Sequence, residues 1–205
     1  RPRLADYVLS MPRGAQIMYP KDIAQVIQIG DIRSGLNVLE SGAGSGAMSV
    51  NLLDAVGESG HLTTIELRPE FARVADANAT LYYGERPRWW DLKTGDFDSV
   101  AAGLPEHSFD RIVLDMLDPW NRLEQAYRVI APGGVGVTIS SQSGHRMKQL
   151  TPEEDAQLAC TPTEDLLKLP LLQPENIQDT LHAYQLAKRC NEKRVMAESV
   201  KWGTR

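Results

Sequence analysis

The sequence predicts an α/β fold: an open, mostly parallel sheet with helices on both faces. Three observations predict it. Short apolar runs alternate with amphipathic stretches through residues 36–141, a glycine cluster separates the first run from its helix, and acidic residues recur where the runs end. Leu36–Glu40 reads as a buried strand, followed by glycines and a helical pattern through Met48, Val50, Leu52, Leu53 and Val56 that stops at Gly57. His61–Glu66 is the second strand, and Pro69 fits the first turn of a helix that runs to Tyr83 and ends at Gly84. A third strand covers Trp89–Thr94 and a fourth Arg111–Met116. Trp120–Ile130 reads as a helix, and Gly134–Ile139 as a fifth strand after a Pro-Gly-Gly turn. Ahead of this core, residues 1–35 form a lead-in whose one clear element is a short amphipathic helix at Lys21–Ile29. The strand–helix rhythm ends near residue 141, and residues 142–205 form a helical tail with its main helix near Glu175–Val200.

The chain has 205 residues, 42% of them hydrophobic, which is enough to bury a sizeable core. A formal net charge of −5 excludes the simplest kind of polybasic nucleic-acid binder. A local patch stays open: Arg1, Arg3, Arg13 and Lys21 cluster at the amino end, and Arg86, Arg88 and Lys93 lie beside Trp89 and Trp90. The competing reading of such charges is an ordinary solvated face. Cys160 and Cys190 form neither a CxxC pair nor a His/Cys cluster, so no metal site and no oxidising compartment is expected. No apolar run approaches the ~18 residues of a membrane helix, and no signal-peptide pattern is present, so a cytoplasmic location is expected. The first residue is Arg1 rather than Met, which suggests a trimmed chain.

Glu40-Ser41-Gly42-Ala43-Gly44-Ser45-Gly46 joins the first strand to its helix. Glycines there let the backbone turn sharply and approach a ligand where a Cβ would clash. Glu66 ends the second strand, placed to accept the hydroxyls of a ribose. The pattern Gly42-x-Gly44-x-x-Ala47 also satisfies the dinucleotide fingerprint, so a nicotinamide or flavin enzyme stays open, as does a tight turn with no ligand. Two features favour S-adenosylmethionine (SAM). Glu40 stands two positions before Gly42, suited to a ligand ammonium and repulsive to a pyrophosphate. Gly95-Asp96 follows the third strand, where a carboxylate can accept an adenine amino group, the alternative being a solvated Gly-Asp turn.

Asp110–Trp120 is the second anchor. Open α/β sheets bind ligands outside the carboxyl ends of their strands, and Asp115 falls at that edge beside the first strand. Asp118 with Pro119 reads as a helix start, and Trp120 either covers the core or stacks on a flat substrate.

On these residues the chain resembles a known family. Ser10–Asp22 (with Met-Pro-Arg-Gly and Tyr-Pro-Lys-Asp), Val38–Ser49 and Leu114–Trp120 together are similar to the tRNA adenine-N1 methyltransferases acting on adenosine 58, especially bacterial, actinobacterial-like members. The resemblance covers residues 4–139 and implies a Rossmann-like class I SAM-dependent methyltransferase fold. It implies SAM binding by the loop from Gly42 to Ala47 (Gly42, Gly44, Ser45, Gly46, Ala47) and by Glu66, with Gly95 and Asp96 at adenine and Met18 lining the cofactor. Asp115 matches the catalytic aspartate, and Tyr19 a tyrosine flanking the target base, with Trp120 as a second stacking candidate. Methyl transfer to N1 needs no strong base, because N1 is already a lone-pair nucleophile. Asp115 would instead hold the exocyclic amino group and favour the cation that forms, after the adenine has left its stack. The implied partners are tRNA and further copies in a tetramer. The resemblance implies a small β-rich amino-terminal domain ahead of the catalytic one, and a trimmed chain is expected to be without it. Residues 140–205 lack the expected Gly-His-Thr-Ala-Phe run, and Gly136–Ser140 offers no Tyr where an aromatic is expected soon after the fifth strand. The alternatives are a non-catalytic RNA-binding subunit of the same fold, a protein or small-molecule methyltransferase, and, third, a nicotinamide oxidoreductase.

Overall fold

In the computed structural model, which describes residues 1–202, five parallel strands form one sheet in the order β3-β2-β1-β4-β5. These are β1 (Asn37–Ser41), β2 (His61–Glu66), β3 (Trp90–Thr94), β4 (Phe109–Leu114) and β5 (Ile130–Thr138). The helices of the same part of the chain are α1 (Leu4–Ser10), α2 (Pro20–Ile29), α3 (Ala47–Val56), α4 (Pro69–Tyr83), α5 (Phe97–Ala102) and α6 (Leu123–Val129). The chain forms two compact units: residues 1–117 with 122–138, and residues 118–121 with the stretch from Ile139 onward.

The core of the first unit lies on its central strands. Val38, Leu39, Leu62, Ile65, Ile112, Val113 and Leu114 are buried, as a parallel strand covered on both faces requires. Helix α3 is apolar nearly all round, and Val50, Leu52, Leu53 and Val56 are wholly inaccessible. Its start lies against α4, where a Cβ on Gly46 would come within 3.0 Å of Ala75 Cα. Between β1 and β4 the sheet order reverses direction. Such a switch point is where open α/β sheets bind ligands, in the crevice outside the carboxyl ends of the strands.

Strand β2 and helix α4 lie where the sequence placed them, because Gly60, Glu66, Pro69 and Gly84 punctuate both ends. Three expectations shift. Strand β4 spans Phe109–Leu114 rather than Arg111–Met116. Phe109 pairs with Ile130, and the chain leaves the sheet at Asp115. The helix expected over Trp120–Ile130 is a 3₁₀ turn at Pro119–Arg122 followed by α6, since Arg122 at φ −106°, ψ −4° interrupts it. Pro132-Gly133-Gly134 lies inside β5 rather than before it. A register irregularity between Phe109 and Arg111 absorbs it, and Gly133 takes φ 78°. Helices α1 and α5 were not expected.

In the second unit, α7 (Pro152–Cys160) and α8 (Thr180–Trp202) pack around Leu158, Leu186 and Cys190. Thr151 and Glu154 form a reciprocal capping box at the start of α7. Arg189 Nε donates to Asp155 Oδ1 at 2.8 Å, tying the two helices together. The tail helix begins five residues later than the sequence suggests, after a 3₁₀ turn at Pro174–Asn176.

Candidate active site

The glycine loop is built from backbone that only glycine tolerates well. Gly42, Gly44 and Gly46 have φ of 96°, 52° and 85°. At Gly42 space forbids a side chain as well, because a Cβ would lie 1.9 Å from the carbonyl oxygen of Asp115. The Asp115 amide in turn donates to Ser41 O at 2.9 Å. Asp115 is therefore fixed, through its backbone, against the loop at the β1–β4 switch point. Its side chain is exposed.

Glu66, 3% exposed, gathers the strand ends around that crevice. Its Oε2 accepts from the Gly44 amide at 2.9 Å and its Oε1 from the Arg68 amide at 3.0 Å. Its carbonyl accepts from the Gly95 amide at 3.0 Å, bringing the end of β3 beside the loop. Asp96 then caps α5, accepting from Ser99 N at 3.0 Å, and this bond holds its carboxyl below the usual carboxylate range. The turn reading of Asp96 thus has a definite form, a helix cap on an exposed residue.

Ser45 is buried against the amino-terminal segment. Its hydroxyl accepts from the Gly14 and Ala15 amides at 3.1 and 2.9 Å and donates to Ala15 O at 2.7 Å. Asn78 Nδ2 donates to both Pro12 O and Ser45 O at 2.8 Å, and Tyr7 Oη donates to Asn78 O at 2.7 Å. The Met-Pro-Arg-Gly segment is thereby clamped onto the loop, ahead of half-buried Met18 and of Tyr19, which is 49% exposed. Sequence reading missed Tyr7, Ala15 and Asn78, whose partners lie thirty or more residues away.

Glu40 is wholly buried beneath the loop rather than on its surface. Its Oε2 accepts from Ser49 and Thr64 hydroxyls at 2.7 and 2.8 Å, while its Oε1 has no partner. Burial pushes its carboxyl up to about 7, the two hydroxyls oppose that, and the Asp115 and Glu66 charges add to it. The charges of Glu66 and Asp115 thus act on a third carboxyl, Glu40, buried beneath the loop. The amides of Gly42, Gly44 and Gly46 are all bonded within the protein, to Ile65 O, Glu66 Oε2 and Ala43 O. A cationic cofactor of nucleoside type fits such a site; a pyrophosphate, which needs free amides and no adjacent acid, does not.

Several residues of the two basic clusters have partners within the chain. Trp90 is buried, with its indole N–H donating to Thr64 Oγ1 at 2.9 Å. Arg3, Lys21, Arg86 and Lys93 pair with Asp6, Asp22, Asp76 and Asp91, and Arg1 lies 3.5 Å from Asp54. Trp120 belongs to the second unit, where the Arg194 guanidinium lies 5.6 Å from its ring centroid. Among the described residues no group of acidic, His and Cys side chains is placed to hold a metal ion, and no helix is long and apolar enough to cross a membrane.

Comparison with known proteins adds to this geometry. The family model of the tRNA methyltransferase complex GCD14 subunit matches residues 2–150. The tRNA (adenine(58)-N(1))-methyltransferase TrmI of Thermus thermophilus is 34% identical over 135 residues, 64% of this chain and 50% of that protein. A crystal structure of a SAM-dependent O-methyltransferase from Thermotoga maritima aligns with TM-score 0.59 and 34% identity, over 67% of this chain and 49% of the other. The tRNA (m1A58) methyltransferase TrmI of Aquifex aeolicus aligns with TM-score 0.58 and 29% identity, over 64% and 51%. The chain spans about half the length of the curated relatives it matches.

Proposed function

The chain belongs to the family of the tRNA methyltransferase complex GCD14 subunit, and from that premise we propose that it transfers a methyl group from SAM to N1 of adenosine 58 in the T-loop of tRNA. The observation that carries this reading is the acidic β1–β4 switch point, where the glycine-loop amides are bonded internally and the charges of Glu66 and Asp115 act on buried Glu40. The similarity to two TrmI enzymes supports the choice of substrate.

SAM would be held by the loop from Gly42 to Ala47, by Glu66 at the ribose, by Gly95 and Asp96 at adenine, and by Met18. When bound it supplies a methyl group on a sulfonium, open to attack by a lone pair. Asp115, held in place by Ser41 and Gly42, orients the target adenine by accepting from its exocyclic amino group. The same carboxylate favours the positive charge that spreads over the base as the N1–methyl bond forms. Tyr19, half exposed at the start of α2, offers a face on which the flipped base stacks. Assembly into a homotetramer would supply a composite RNA surface, and cytoplasmic tRNA is the expected substrate pool.

The likeness to the Thermotoga maritima protein supports a second reading, methyl transfer to an oxygen of a small molecule or protein. The test is calorimetry with SAM and with a nicotinamide cofactor, then incubation with labelled SAM and unmodified tRNA. Binding of SAM alone, with label recovered in tRNA, is the expected result. Preferred binding of the nicotinamide cofactor, or label only in protein or small molecules, would overturn it.

A further inference from the structure

We propose that Glu40 is a positioning residue that exchanges its proton with solvent when the cofactor binds, so that SAM binding to this chain is coupled to the ionisation of a buried carboxyl. The inference rests on the SAM reading of the site. Glu40 is wholly inaccessible, and the unpartnered Oε1 leaves half of its carboxyl without a donor. A buried carboxylate oxygen with no donor favours the protonated form, in which that oxygen carries the hydrogen.

The groups facing Glu40 all bear on the same equilibrium. Helix α3 presents Ser49 and strand β2 presents Thr64, both uncharged donors to Oε2. The charged neighbours are Glu66 at the end of β2 and Asp115 after β4, and each disfavours a further negative charge. Arg68 Nε, 3.8 Å from Glu66 Oε1, is engaged with Glu66. A ligand bringing a sulfonium and an ammonium into this crevice offsets the negative local field. The carboxyl then loses its proton to solvent, and by reciprocity its ionisation strengthens binding. With a midpoint near neutrality, the coupling acts within the range in which cells work.

The probe is SAM itself, titrated calorimetrically into the full chain at about pH 6 and about pH 7 in buffers of different ionisation enthalpy, with wild type beside Glu40→Gln. Subtracting the variant removes any proton exchanged by the cofactor's own α-amino group, which titrates near 8. We expect wild type to release roughly half a proton or more per SAM relative to the variant, with its affinity falling several-fold between about pH 7 and about pH 6. Difference infrared spectra of wild type alone should show a protonated-carboxyl band lost on adding SAM, which keeps the test decisive if the variant folds poorly. SAM binding with the same proton exchange in both proteins, or with no carboxyl band lost, would overturn the proposal and leave the methyltransferase reading intact. No binding of SAM by wild type at any pH would instead overturn that reading, and this inference with it.

Discussion

Gly42 and Asp115 touch through their backbones, and a Cβ on Gly42 would lie 1.9 Å from the Asp115 carbonyl oxygen. The loop proposed to cradle the cofactor and the residue proposed to meet the base therefore share one wall. Gly42→Ala must move Asp115 or the loop, and it also strains a residue at φ 96°. We expect a loss of about 1–3 kcal/mol in urea unfolding, with SAM binding and turnover both impaired. Unchanged turnover would show that the two segments move independently.

Asp115→Ala separates binding from chemistry. The backbone contacts to Ser41 and Gly42 do not depend on the side chain. The SAM dissociation constant should stay close to wild type while kcat on tRNA falls about 10²–10³-fold. Single-turnover assays at saturating SAM measure this, and a kcat within a few-fold of wild type rejects the assignment.

Glu66 holds the loop as well as the proposed ribose. Glu66→Gln replaces an acceptor with an amide that cannot accept from both the Gly44 and Arg68 amides, now at 2.9 and 3.0 Å. The variant should lose about 1–3 kcal/mol of stability and bind SAM at least tenfold more weakly, read by urea unfolding and calorimetry.

Ser45→Ala leaves the Gly14 and Ala15 amides without the oxygen that now receives both. Stability should fall by about 2 kcal/mol, and trypsin should cut after Arg13 faster than in wild type as the segment lifts from the loop. Equal cleavage rates would show that Asn78 alone holds the segment.

The stability of the protein without cofactor should depend on pH through Glu40. Its carboxyl is raised from the ordinary 4.5 to about 7 by burial, so the folded state binds more protons than the unfolded chain between those values. Stability from this group is complete below about pH 4.5 and lost as pH rises to about 7, by at most about 3 kcal/mol. Relative to wild type, Glu40→Gln should gain stability across that window and not below it, checked by urea unfolding at pH steps.

The sheet was legible because its strands are apolar runs closed by Gly and Pro. His61–Glu66 and Pro69–Tyr83 lie between Gly60 and Gly84 with no ambiguity of phase. Helix α5 escaped because six residues carry too little periodicity, and its cap, Asp96 to Ser99 N, reads equally as a turn. Helix α7 carried a readable signal in Thr151-Pro152-Glu153-Glu154 that the clustered prolines of the tail masked. The acidic and glycine positions of the site followed from strand ends. The clamp of Ser45 and Asn78 on residues 12–15 did not, because periodicity holds no information about partners so far apart. The partners of the charge runs were hidden for a related reason. Arg86 finds Asp76 ten residues back on α4, a pairing that composition alone does not reveal.

The most direct test of the account is nucleoside analysis of unmodified tRNA after incubation with this chain and labelled SAM. The account predicts label in 1-methyladenosine at position 58, formed about 10²–10³-fold more slowly by Asp115→Ala at a SAM occupancy equal to wild type. Transfer of label to any other nucleoside, or into protein or small molecules with none in 1-methyladenosine, would contradict it.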